Sequence, residues 1–125
     1  MRLLLDTHSL LWFLTGADEL TARARALIEN KENQRYVSAA SLWEIAIKVN
    51  LGKLVLTEPF ALLFPRELQR NQMAVLPVDV QHLAKLVELP LHHRDPFDRL
   101  LAAQALAEQM SVVGCDAAFD AYGVK

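Results

Sequence analysis

The chain has a single cysteine, Cys115, among its 125 residues. An internal disulfide is therefore impossible, and no Cys/His group has zinc-finger spacing. Apolar runs are short: Leu10 to Leu14 is bounded by Ser9 and Thr15, far from the ~20 residues that span a bilayer. Met1-Arg2 and three leucines are too few for a signal-peptide core, and Asp6 interrupts them. These absences predict a cytoplasmic protein without a membrane segment. An excess of basic charge is missing as well. The formal net charge of −2 argues against a sequence-specific DNA binder of the usual basic kind. It leaves room for an enzyme that holds nucleic acid through metal ions and a few local arginines. Repeats, low-complexity tracts and linkers are absent too, so residues 1–125 read as one domain, long enough to bury a core without staples.

What is present is apolar residues in abundance, 53% of the chain, so most elements should be buried on more than one side. Short apolar runs alternate with helical patterns, the signature of an α/β domain with a mostly parallel sheet. Leu3 to Leu5, Arg35 to Ser38, Ala74 to Val78 and Ser111 to Cys115 read as strands. Ser9 to Leu14, Thr21 to Lys31, Ala39 to Asn50, a segment after Asp79 to about Glu88, and Pro96 to Gln109 read as helices. Gly52 stops the helix Ala39 to Asn50 at a C′-like position. Pro59 to Arg70 reads as a helix interrupted at Pro65.

Two placements point to chemistry. Asp6 follows the first strand and Asp116 the last, and ligands of a parallel sheet bind outside the carboxyl ends of its strands. Each candidate acid also has an ordinary structural role open to it. Asp6 suits the N-cap of the next helix. Glu44 fits a capping box with Ser41, or an i,i+4 pair with Lys48. It lies on a narrow polar arc, with Ser41 and Lys48, of a helix that is apolar elsewhere. Asp95 suits an N-cap before Pro96, and Asp98 falls at N3, where the helix dipole favours negative charge. Asp98 shares its face with Ala102 and Ala105, so nothing bulky covers that side. Asp116 too could cap. If these acids converge, their repulsion demands a cation, and a carboxylate set without cysteine suits a hard ion such as Mg²⁺ or Mn²⁺.

The stretches LLLDTHSLLWFL, VSAASLWEIAIKVNLGKL, LPLHHRDPFDRLLAAQA and CDAAFDAYGV together resemble the PIN-domain family, and within it the VapC-type toxins of bacterial toxin–antitoxin pairs. The resemblance spans nearly the whole chain, in the family's order. It implies a three-layer α/β/α sandwich around a mostly parallel sheet and a Mg²⁺- or Mn²⁺-dependent endoribonuclease that cleaves RNA phosphodiester bonds with metal-activated water. It maps the family's four metal-binding and catalytic acids onto Asp6, Glu44, Asp98 and Asp116, with Asp95 as a cap first and an outer-shell ligand second. The implied partners are RNA, a cognate antitoxin and a second copy in a homodimer. The chain departs from the family at Gly114, where Thr or Ser is frequent. The hydroxyl contact near the metal is then absent or supplied by Thr7, Ser9 or Ser38.

Outside the acids, Arg94, Arg99 and Lys48 are candidate RNA-phosphate contacts, against the alternative that they balance Asp95, Asp98 and Glu44. His8, His92 and His93 read as solvated or structural rather than metal-binding. Trp12, Phe13, Trp43 and Phe97 lie in helical apolar patterns and read as core, not as base-stacking platforms. Phe60 to Leu68 suits either core packing or a partner groove. A receiver-like signalling domain, or another non-catalytic protein-binding domain, is the competing reading. A receiver would need an acidic pair after the first strand and a lysine after a late one, and no lysine lies between Lys85 and Lys125.

Overall fold

The computed structural model describes residues 1–91 and 95–114. Within them, four strands form one sheet: β1 (Arg2–Leu5), β2 (Gln34–Ser38), β3 (Met73–Leu76) and β4 (Ser111–Val113), in the order β3-β2-β1-β4. Every pairing is parallel. The helices are α1 (Thr7–Thr15), α2 (Ala22–Glu29), α3 (Ala39–Asn50), α4 (Phe60–Arg70), α5 (Val80–Glu88) and α6 (Pro96–Glu108). None of the described helices is long and apolar enough to cross a membrane.

The triple leucine of β1 explains the layering. Successive side chains of a strand point to opposite faces. Leu3 and Leu5 enter one core with Leu10, Ile28, Val37, Ile45 and Phe64, while Leu4 enters another with Leu101, Ala102 and Ala105. Both faces are thus covered by helices, as an all-parallel sheet requires, and the expected three-layer α/β/α sandwich is what forms. Leu5 is level with Val37 of β2 and Val113 of β4. Asp6 and Gly114 therefore leave the sheet together at its carboxyl edge, level with Ser38, the last residue of β2.

Helix ends follow the polar residues beside them. Asp6 caps α1, Ser38 caps α3, Asp79 caps α5 and Asp95 caps α6, each through a side-chain oxygen. At the end of α3, Gly52 takes φ +74°. It donates to the Val49 carbonyl while Lys53 donates to Lys48, the paired bonds of a Schellman turn. Several expectations need correction. Helix α1 begins at Thr7 rather than Ser9, and β3 runs from Met73 to Leu76 rather than Ala74 to Val78. Pro65 does not interrupt α4. The ring deprives the Ala61 carbonyl of its donor, but Ala61 and Pro65 are both exposed, so the carbonyl is open to solvent. At the start of α4 the Arg66 guanidinium hydrogen-bonds both oxygens of Glu58 and so holds that carboxyl below its usual pKa. The loop before it closes an open pocket of about 450 Å³ lined by Val49, Leu54, Val55, Leu56 and Phe60.

Because Leu4 has no exposed surface and its neighbours Ala102 and Ala105 cannot swell to replace it, Leu4→Ala should leave a cavity. A loss of about 2–5 kcal/mol, read from the urea midpoint at unchanged slope, is the expected outcome.

Candidate active site

At the carboxyl edge, β1 runs straight into α1, and the junction residue is Asp6. Its Oδ1 accepts from the Ser9 backbone N–H at 2.7 Å, and its own N–H donates to the Val113 carbonyl at 3.0 Å. The side chain is 3% exposed. The cap uses one carboxylate oxygen, and no described residue donates to the other. The structural role anticipated for Asp6 is therefore real, and it leaves half the carboxylate uncommitted.

Glu44 stands opposite, one turn into α3 and 6% exposed. Its Oε1 accepts from the Thr7 hydroxyl at 2.7 Å, and its Oε2 meets the Lys48 ammonium at 3.0 Å. The capping-box reading with Ser41 fails, because the cap of α3 is Ser38, whose Oγ accepts from the Ala40 N–H at 3.0 Å. Thr7 directly follows Asp6, so its bond to Glu44 ties the two acids' elements together. The apolar stripe of α3 faces the core as expected, with Ile45 buried and Leu42 and Val49 packed against it. The helix's polar arc, Ser41 and Glu44, is buried as well, while Trp43 is 62% exposed. Trp43 is thus not a core residue, whereas Trp12 and Phe13 do pack against the core.

Asp98 occupies N3 of α6 and is half-buried. Asp95 Oδ1 caps the same turn, accepting from Phe97 N at 2.9 Å and Asp98 N at 3.4 Å. Ala102, one turn below Asp98 on the same face, packs in the cluster around Leu4 of β1. That face therefore looks toward β1, with Asp98 on its carboxyl-edge side. The Arg99 guanidinium forms no ion pair among the described residues, and its Nε is buried without a hydrogen-bond partner. Asp116, Arg94, His92, His93 and Cys115 lie outside the described residues.

Three of the four predicted acids thus sit at one edge of the sheet. Their oxygens are hard donors, one Asp6 oxygen is free of described donors, and a buried hydroxyl, Ser41 Oγ, lacks a partner beside Glu44 on the same arc. This donor set fits a divalent cation such as Mg²⁺ or Mn²⁺. Of the hydroxyls considered as substitutes at Gly114, Thr7 is committed to Glu44 and Ser38 donates to Gln104 Oε1 at 2.6 Å. Ser41 was not among them, and only its burial singles it out.

Among the described residues, one trio of His, Cys, Asp or Glu ligand atoms lies within 4.8 Å: Asp79, His82 and Glu108. Asp6, Glu44 and Asp98 are not drawn that close. The trio has its own explanation. His82 is fully buried. Its Nδ1 accepts from the Asp79 backbone N–H at 3.1 Å and faces the Gln104 amide nitrogen at 3.3 Å. The proton is therefore on Nε2, which donates to Glu108 Oε2 at 2.8 Å. Neither ring nitrogen keeps a lone pair for a metal. Ser38, Gln104, His82 and Glu108 form a buried polar chain that ties β2 and α5 to α6, and Gln104 also reaches the Pro77 carbonyl at 3.3 Å. Spacing gave no hint of it, since its members are far apart in sequence. Gln104→Leu should strand the Ser38 hydroxyl and the Pro77 carbonyl and cost about 1–3 kcal/mol for each group left unsatisfied, measured by chemical denaturation.

The fold is shared with known proteins. Ribonuclease VapC16 of Mycobacterium tuberculosis (strain ATCC 25618 / H37Rv) is 40% identical over 68 residues, which are 54% of this chain and 48% of that protein. The chain thus matches about half the length of that curated relative. The structure of VapBC2 from Rickettsia felis bound to a DNA fragment from their promoter superposes with a TM-score of 0.70 at 18% identity, over 98% of this chain and 93% of that one. FitAB bound to an IR36 DNA fragment gives 0.64 at 20% identity, over 98% and 91%. FitAcB from Neisseria gonorrhoeae gives 0.62 at 18% identity, over 98% and 94%. The family model described as the PIN domain matches residues 3–125, and on that match over nearly its whole length the chain belongs to the PIN domain family.

Proposed function

We propose that this chain is a metal-dependent endoribonuclease, the toxin of a toxin–antitoxin pair, acting on RNA in the cytoplasm. The observation that carries the reading is the pair of buried carboxylates, Asp6 and Glu44, placed at the carboxyl edge of a parallel sheet and joined through the Thr7 hydroxyl. A fold seldom keeps two nearly buried acids at one edge unless charge is to be met there. The 40% identity to ribonuclease VapC16 supports the same activity.

Asp6, Glu44 and Asp98 would hold Mg²⁺ or Mn²⁺, with Asp116 as the fourth acid and Asp95 outside them. Such an ion, when bound, neutralises charge at a phosphodiester and lowers the pKa of water. The protein's own contribution is to fix the acids. Thr7 holds Glu44 in one orientation, and the α1 cap does the same for Asp6. Lys48, proposed as a phosphate contact, is occupied by Glu44 in this structure and balances that charge. Arg99 suits a phosphate contact better, since its guanidinium has no ion pair among the described residues. For the antitoxin, the apolar pocket before α4, with Leu62 exposed on that helix, offers a groove. For a second copy of the chain, the exposed stripe Val80, Leu83 and Val87 of α5 offers a face.

Three outcomes test the assignment. RNA cleavage should require Mg²⁺ or Mn²⁺ and stop with EDTA. Asp6→Asn keeps the cap, because Asn caps as well as Asp, so its stability should stay within about 0.5 kcal/mol of the parent. Its cleavage rate should nonetheless fall on the order of 100-fold or more, equivalent to about 2.7 kcal/mol of transition-state stabilisation. Undiminished cleavage by this variant, measured on protein free of contaminating nuclease, would refute the role of Asp6. Finally, Arg99→Met should weaken RNA binding about tenfold, as loss of a charged hydrogen bond does, with a shallower salt dependence.

A further inference from the structure

The ring pair Trp43–Phe97 is left unused by the site as described, and its position is unusual. Trp43 immediately precedes Glu44 in α3, and Phe97 immediately precedes Asp98 in α6. Their ring centroids are 5.4 Å apart with planes at 70°. The aromatic contact thus bridges the two helices that carry two of the candidate acids. Neighbouring helix residues diverge by about 100°, so the rings do not share the acids' direction but stand at the rim of the same edge. Consecutive Cα atoms are about 3.8 Å apart, which keeps the rim next to the acids.

Trp43 is 62% exposed on a helix whose Ala40, Ser41, Glu44 and Ile45 are buried. Packing alone does not account for a tryptophan there, since a ring so exposed contributes little burial. An edge-on contact with Phe97 holds the indole in place and takes less of its π surface than a stack would. We propose that Trp43, steadied by Phe97, is a stacking platform for one unpaired base of an RNA strand whose backbone crosses the acidic edge. The proposal rests on the ribonuclease reading of that edge. Unpaired RNA is the occupant that fits: its bases are splayed and stack on aromatic side chains, while its phosphates need cations. Arg99 supplies such a cation two residues beyond Phe97. Trp43 is a binding residue in this scheme and takes no part in proton transfer.

Steady-state cleavage of a short single-stranded oligoribonucleotide by the full-length chain tests this, with Trp43→Ala and Trp43→Phe as variants. The alanine variant should raise KM roughly tenfold, within the range found for removal of a stacking aromatic, and leave kcat within about twofold. The phenylalanine variant should retain most of the parental KM. Abasic sites moved along the oligonucleotide provide a readout that a purely structural role leaves unchanged. At one position the abasic sugar should raise KM for the parent and not for Trp43→Ala, the non-additivity expected of partners in contact. In a Trp12→Phe background, where Trp43 is the sole tryptophan, its fluorescence should be quenched by the intact strand and not by the strand abasic at that position. Cleavage with an unchanged KM in Trp43→Ala and no position-dependent abasic effect overturns the platform while the ribonuclease reading stands. An unchanged KM accompanied by a shift in sedimentation assigns the ring to a protein contact and likewise overturns it. A chain that cleaves no RNA overturns both readings.

Discussion

Strand β1 has no free side. Leu3, Leu4 and Leu5 are buried between two helical layers, and β2 and β4 are hydrogen-bonded along its two edges. A strand so enclosed can end in only one way: the next residue must leave the sheet at its carboxyl edge, where the parallel neighbours end level with it. Asp6 is that residue. Its backbone is fixed by Val113 and its side chain by the first turn of α1. The position of the first acid follows from the burial of three leucines, and the remaining groups of the site are arranged around it.

Burying a second carboxylate nearby raises a problem of charge. Removal from water penalises an ion unless it is paired or hydrogen-bonded. Glu44 meets this with Thr7 on one oxygen and Lys48 on the other. Lys48 thereby does for Glu44 what a divalent ion does for a whole set of acids. Asp98 is held differently, at N3 of a helix whose N-terminal dipole and Asp95 cap fix the first turn. Asp6, Glu44 and Asp98 thus reach the same edge by three different local devices.

The second polar system ends on a carboxylate that Arg2 also meets. His82 is held by the Asp79 backbone N–H on Nδ1 and by Glu108 on Nε2, and Gln104 extends the chain to Ser38, the cap of the helix that carries Glu44. A trio of potential metal ligands is thereby a strut. An Asp-His-Glu group gains its meaning from where its protons lie, and that depends on neighbours contributed by α5, its cap and α6 together.

The sequence by itself determined the class of fold, because three consecutive leucines, Val- and Leu-rich short runs and intervening amphipathic helices have few other ways to bury their apolar faces. It also determined the helix caps at Asp6, Asp79 and Asp95, which depend on residues a few positions apart, and the stop at Gly52. Three of the four acids, Asp6, Glu44 and Asp98, were placed on the correct elements by the same local reasoning. Tertiary structure alone decided that α3 is covered on its polar arc as well as on its apolar stripe. Periodicity turns Ile45 to the core but cannot show that neighbouring elements also bury Ser41 and Glu44 and leave Trp43 exposed. It also decided that the Ser38 and Thr7 hydroxyls are spent on Gln104 and Glu44 while Ser41 is left over. Hydrogen bonds between residues 37 or 66 positions apart leave no trace in spacing; they exist only once the sheet has brought the helices together.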